Sequence, residues 1–177
     1  MIVGYIFRRR FVPYRDTLKN DGEIYLCPVH GEIQSIRKNS DGKQEIRISM
    51  SLFDEKGLYL PTPGEVTYLK ATQGKKVPRQ ASAESFYGST DHYAHTDFSI
   101  ISKNRITTQL RFVDAPYSRR PTIWLKSGDR GRGAACFGYY PFGGTLIIYL
   151  PVDSDILVFE KERVIPGQTV LAALKNP

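Results

Sequence analysis

Few groups in this chain could do chemistry, and most stand in short stretches. The 177 residues include only three histidines. His92 and His95, with Asp91 and Asp97 beside them, have a spacing that would set metal ligands on one face of a helix. Their surroundings are loop-like and mark no third ligand, so a solvated loop without metal is the expectation. His30 falls in a turn between two strand-like runs, where it reads most simply as a turn residue. Tyr87-Gly88-Ser89-Thr90 contains a Gly-Ser bond of the kind that self-cleaves when a hydroxyl attacks the preceding carbonyl. No apolar strand follows to hold that backbone, which leaves Ser89 a secondary candidate. Arg119-Arg120 precedes the apolar run Ile123-Trp124-Leu125, where paired guanidiniums could grip a phosphate bidentately or share a salt bridge with solvent. Finally, Phe142-Gly143-Gly144-Thr145 wedges two glycines between an aromatic turn and an apolar strand.

The elements that must position these groups are short and β-like. Ile24 to Cys27, Glu32 to Arg37, Glu45 to Ser49, Glu65 to Leu69, Ile106 to Val113, Thr122 to Lys126, Leu146 to Leu150 and Ile156 to Phe159 read as strands, punctuated by Gly, Pro, Asn and Asp. Gln168 to Leu174 and the N-terminal segment are the helical candidates. Gly74 to His95 is polar, rich in Ser and Lys, and reads as a long loop. A loose repeat, Cys27-Pro-Val-His-Gly-Glu-Ile33 against Pro61-Thr-Pro-Gly-Glu-Val66, is similar to the turns of barrel-sandwich hybrids in biotinyl and lipoyl carriers. No lysine occupies a carrier-type hairpin tip.

Length bounds the chain to one domain, with residues 1–21 as an aromatic and basic appendage and residues 22–177 as the β domain. A net charge of +7 with a pI near 9.4, spread along the chain, suits an anionic lipid surface or a generally cationic exterior. A nucleic-acid partner would rest on charge alone and is not expected. Cys27 and Cys136 read as reduced core residues of a cytoplasmic protein. The apolar start is stopped by Arg8-Arg9-Arg10, too soon for a membrane span, although Tyr5, Phe7, Phe11 and Tyr14 among the arginines could lie on the inner face of a membrane. No phosphate-cradling glycine loop, nucleophile elbow or zinc-finger spacing is present.

Arg119-Arg120, Gly128-Asp129-Arg130, Phe137-Gly138, Phe142-Gly143 and Tyr149-Leu150-Pro151 stand at intervals that resemble the C-terminal half of the phosphatidylserine decarboxylases. Cys27-Pro-Val-His-Gly31, Met50-Ser51 with Asp54, and Tyr59-Leu-Pro61 with Gly64 extend the resemblance upstream. It implies a mainly β domain with barrel-sandwich-hybrid character and few short helices. It also implies a founding chemistry in which a serine hydroxyl attacks the preceding glycine carbonyl and leaves a pyruvoyl group as electron sink.

At the three positions where the resemblance implies Asp, His and Ser, this chain has His30, Tyr59 and Gly144. Glycine has no hydroxyl, and a tyrosine with an ordinary pKa of about 10 is a poor base near neutrality. Thr145 carries a hydroxyl one place on, but that shift turns a strand side chain to the opposite face. The expectation is therefore an uncleaved relative without a cofactor. It would bind an anionic or amino-phospholipid headgroup at Arg119 and Arg120, or a partner protein, an active family member or a second copy. An active decarboxylase with a pyruvoyl group and displaced site residues is the first alternative; a carrier-like structural interaction module is the second.

Overall fold

Alternation along the strands sets the architecture. The computed structural model describes residues 23–38, 42–76 and 90–174. In chain order its strands are β1 (Glu23–Leu26), β2 (Gly31–Lys38), β3 (Gln44–Met50), β4 (Gly57–Tyr59), β5 (Gly64–Thr72), β6 (His95–Ser102) and β7 (Thr107–Val113). They continue with β8 (Thr122–Ile123), β9 (Arg130–Gly131), β10 (Cys136–Tyr139), β11 (Gly144–Leu150), β12 (Ser154–Ile156), β13 (Arg163–Val164) and β14 (Val170–Leu174). The fold is mainly β, as expected. One 3-10 turn, Thr90–His92, is the only helical element among the described residues.

Eight strands form one antiparallel sheet in the order β13-β2-β3-β11-β7-β6-β5-β9, and two three-stranded sheets, β1-β14-β12 and β4-β10-β8, complete the fold. Ile46, Ile48, Phe98, Ile100, Leu110, Phe112, Leu146 and Ile148 of the large sheet share one core with Tyr25, Leu58, Phe137 and Leu171 of the smaller ones. This is a sandwich-like packing, sealed in part by the stacked rings of Phe98 and Phe137, 4.6 Å apart. The other face of the central strands is also withdrawn from water. There Arg111 holds Asp97 through two hydrogen bonds of 2.7 and 3.2 Å, an arrangement that keeps buried charges compensated.

That polar face explains the largest gap in the strand expectations. β6 places Phe98 and Ile100 in the core, but His95, Asp97 and Ser99 alternate with them and are buried too, so the run carries no polar-out signal. His95 is thus a strand residue, not part of a solvated loop. Its Nδ1 lies 2.7 Å from the Tyr93 carbonyl, and its Nε2 lies 3.5 Å from Asp97. The helical expectation for Gln168 to Leu174 is corrected as well: Val170–Leu174 is β14, paired with β1 on one side and β12 on the other. Two ladders of backbone hydrogen bonds outweigh the helical preference of Leu171-Ala172-Ala173-Leu174. The N-terminal aromatic and basic segment lies outside the described residues. No helix among the described residues is long and apolar enough to cross a membrane.

Candidate functional site

One row of paired residues crosses the large sheet near one end. It runs Thr72, His95, Val113, Thr145, Ser49, Glu32, Arg163 through six neighbouring pairings. The loops that leave this end carry nearly every residue singled out above. Residues 28–30 enter β2, 51–56 leave β3, 140–143 enter β11, 114–121 leave β7 and 73–76 leave β5.

At the centre of the row the chain turns tightly into β11. Phe142 and Gly143 have φ of 61° and 77°, and Gly144 has φ of 156°. A Cβ on Gly143 would come within 2.5 Å of the Met50 carbonyl oxygen, so close strand approach and left-handed backbone both require glycine there. On Gly144 a Cβ would come within 2.3 Å of the Tyr140 hydroxyl and 2.7 Å of its Cζ. Tyr140 is fully buried. Its hydroxyl donates to the Val113 carbonyl at 2.8 Å and lies 3.3 Å from Asp114 Oδ1. Burial, with the Asp114 charge beside it, holds this phenol well above its ordinary pKa. Tyr140→Phe is expected to lower the unfolding free energy by about 1–2 kcal/mol in urea titrations, because the Val113 carbonyl loses a buried donor.

Gly144 therefore points at the tyrosine, on the core side with Leu146 and Ile148. Thr145 belongs to the other face, with Ile147 and Val113. The two hydroxyl options of the sequence are thus separated by the sheet itself. The pyruvoyl group that the resemblance implies does not fit residue 144: the glycine offers no attacking oxygen, and a Cβ there would meet Tyr140.

Asp114 links this turn to a second feature. A cavity of about 340 Å³ is lined by Gln73, Gly74, Lys76, Ala94, Asp114, Ser118, Arg119 and Arg120. The arginines are exposed at its rim, and Lys76 Nζ donates to the Pro116 and Ser118 carbonyls at 3.3 and 3.1 Å. Burial raises the pKa of Asp114, while the Tyr140 hydrogen bond and the charges of Arg120, Lys76 and His95 act against that rise. Three cationic side chains against one buried carboxylate make a cavity suited to an anion.

His30 and Tyr59 meet on the other side of β3, through Glu55. The Glu55 amide donates to His30 Nδ1 at 3.2 Å, and the Tyr59 hydroxyl donates to Glu55 Oε1 at 2.6 Å. His30 also lies 3.9 Å from Asp54, which accepts the Ser51 amide at 2.6 Å and a guanidinium hydrogen bond from Arg163. Between these stands Lys56, fully buried. Its ammonium donates to the Ser51 carbonyl, and its own carbonyl accepts the Tyr140 amide at 2.9 Å. Burial pulls its pKa down to about 8 against the opposing charge of Asp54.

Sequence reasoning missed Tyr140, Asp114, Glu55 and Lys56. Asp54-Glu55-Lys56 has the composition of a solvated turn, and only the flanking Met50 and Leu58 hint at burial. Ser89 lies outside the described residues. No group of three or more metal-ligating side chains occurs among the described residues.

Comparison with known proteins adds a single consistent signal. The family model for phosphatidylserine decarboxylase matches residues 7–172. The phosphatidylserine decarboxylase proenzyme of Symbiobacterium thermophilum is 29% identical over 180 residues, covering 98% of this chain and 80% of that protein. The proenzyme of Prosthecochloris aestuarii is 29% identical over 181 residues, covering 97% and 77%. That of Carboxydothermus hydrogenoformans is 23% identical over 183 residues, covering 99% and 81%. No solved structure matches.

Proposed function

This chain belongs to the phosphatidylserine decarboxylase family, and we propose that within it the chain is an uncleaved phospholipid-binding protein without a pyruvoyl group. The observation that carries the reading is the overlap at residue 144. A side chain there would fall 2.3 Å from the Tyr140 hydroxyl, so both the nucleophile and its space are missing. What remains beside it is a cationic cavity, and its work is to hold an anionic or amino-phospholipid headgroup with Arg119 and Arg120. The protein acts in the cytoplasm, at the inner face of a membrane, where a second copy or an active family member is its protein partner.

Intact mass tests the uncleaved state directly. The purified chain is expected as one species near 20.1 kDa; two fragments, the C-terminal one with a ketoacyl end, overturn the reading. Calorimetry with glycerophosphoserine tests the cavity. Binding is expected to weaken at least about tenfold in Arg119→Glu/Arg120→Glu, because the bidentate charge-assisted hydrogen bonds are lost.

A second reading, a working decarboxylase, is favoured by the proenzyme names of relatives that align with nearly the whole chain. Formation of ethanolamine lipid from serine lipid by the purified protein would establish it.

A further inference from the structure

We propose that the end of the large sheet at which the cavity opens is a membrane-docking face for an anionic phospholipid bilayer. Leu52, Phe53, Tyr117 and Phe142 enter the headgroup region there, and Arg119 and Arg120 meet lipid phosphates. The inference rests on the phospholipid reading above and adds the surface that brings the cavity to its ligand.

Single exposed hydrophobes are ordinary on a protein surface; a contiguous group is not. Phe53 is 76% exposed, Tyr117 65%, Leu52 45% and Phe142 39%. They occupy three adjacent turns. The pairing of Met50 with Gly144 sets the turn after β3 beside the turn into β11. The pairing of Val113 with Thr145, together with the Tyr140 hydrogen bond to Val113, sets the turn after β7 on its other side.

Charge sorts in the same direction. The carboxylates of these turns are withdrawn: Asp54 and Asp114 are 2% and 3% exposed, and Glu55 9%. The guanidiniums of Arg119 and Arg120 are exposed, and the Arg163 side chain is 54% exposed. Within these three turns rings and cations stand without exposed acids, while the exposed acids of this sheet end lie outside them, Asp91 held by Arg111 and Glu32 on β2 opposite Arg163. The turns match the depth profile of an anionic leaflet, where aromatic side chains sit at the headgroups and each nearby cation adds to the attraction. A bilayer suits this surface better than a second copy does. An isologous dimer would bring the same cationic patch of both protomers, Arg119 and Arg120 twice over, into one interface with no exposed acid in these turns to meet it, whereas separate turn tips can each sink into a fluid surface.

Vesicle co-sedimentation tests the inference, using serine-lipid/choline-lipid vesicles and pure choline-lipid vesicles. The wild-type protein is expected to bind the first kind and to bind the second much more weakly. Leu52→Ser/Phe53→Ser is expected to lower partitioning at least about tenfold, from lost apolar burial. Phe142→Asn, which tolerates the positive φ, is expected to lower it by less. The thermal midpoints of these variants should match wild type, because the side chains are exposed. Glycerophosphoserine binding in solution should also persist, which separates this surface from the cavity. Equal sedimentation of Leu52→Ser/Phe53→Ser and wild type overturns the docking face, whatever the cavity binds. So does a failure of wild type to sediment, or a concentration-dependent dimer that the same variants dissolve. Loss of glycerophosphoserine binding in the wild type, with vesicle binding retained, overturns the headgroup cavity and leaves the docking face standing.

Discussion

Gly144→Ser is expected to stay a single chain and to be less stable than wild type by about 2–6 kcal/mol, although it supplies a hydroxyl that could attack the preceding glycine carbonyl. Two effects add. The backbone at φ 156° lies at the margin of a region that L side chains seldom adopt, a strain of about 1–3 kcal/mol. The new Cβ also meets the Tyr140 hydroxyl at 2.3 Å and Cζ at 2.7 Å, and forcing atoms into a packed core costs about 1–3 kcal/mol more. Tyr140 cannot simply swing away, since its hydroxyl is bonded to Val113 and its ring packs edge-on against Phe112 at 5.7 Å. Intact mass after prolonged incubation and urea unfolding read the two parts. Cleavage of the variant between positions 143 and 144 at wild-type stability would mean that the tyrosine does not block the site.

A double-mutant cycle sharpens the result. Tyr140→Phe removes the atom of closest approach but leaves Cζ and Cε1 of the ring at 2.7 and 2.9 Å from the added Cβ. Gly144→Ser should therefore be less costly in that background, with a coupling of about 0.5–3 kcal/mol, the range for residues in contact. No coupling would place the cost in the backbone alone.

The sheet and its turns were readable in the sequence wherever apolar periodicity and glycine or proline punctuation coincided, as in β2, β3 and β11. β14 was not readable, because an Ala-Ala-Leu run prefers a helix until two partner strands claim its backbone. β6 was hidden by burial of both faces, one of them through charge pairing with Arg111. At the site, the motif resemblance drew attention to Gly144, yet nothing in Tyr139-Tyr140 says that the second ring fills the space above that glycine. Register decides it, by placing Gly144 opposite Met50 and Thr145 opposite Val113, whose carbonyl accepts the Tyr140 hydroxyl. Charges that fold inward, such as Asp54, Lys56 and Asp114, are the least legible class, because composition places them in water.

Lys56 shows what such an inward charge should do. Its ammonium is fully buried, and its pKa falls from 10.5 to about 8 because desolvation outweighs the attraction of Asp54. Below about pH 8 the folded and unfolded chains both hold this proton, and the folded state carries the penalty of a buried charge. Between about pH 8 and 10.5 the unfolded chain binds more protons than the folded one, so stability rises with pH through that window. A shift of this size corresponds to about 3 kcal/mol at its full extent. Wild type minus Lys56→Met in unfolding free energy should accordingly climb by about that amount from pH 7.5 to 10.5, with other titrating groups cancelling in the difference. Lys56→Met at pH 7 should show only part of the gain, since the Ser51 carbonyl loses its donor at a cost of about 1–3 kcal/mol. A flat difference across the window would mean that the ammonium is hydrated in solution. The turn from Ser51 to Lys56, which supports both Tyr140 and the apolar tip at Leu52 and Phe53, would then open to water more readily than its burial implies.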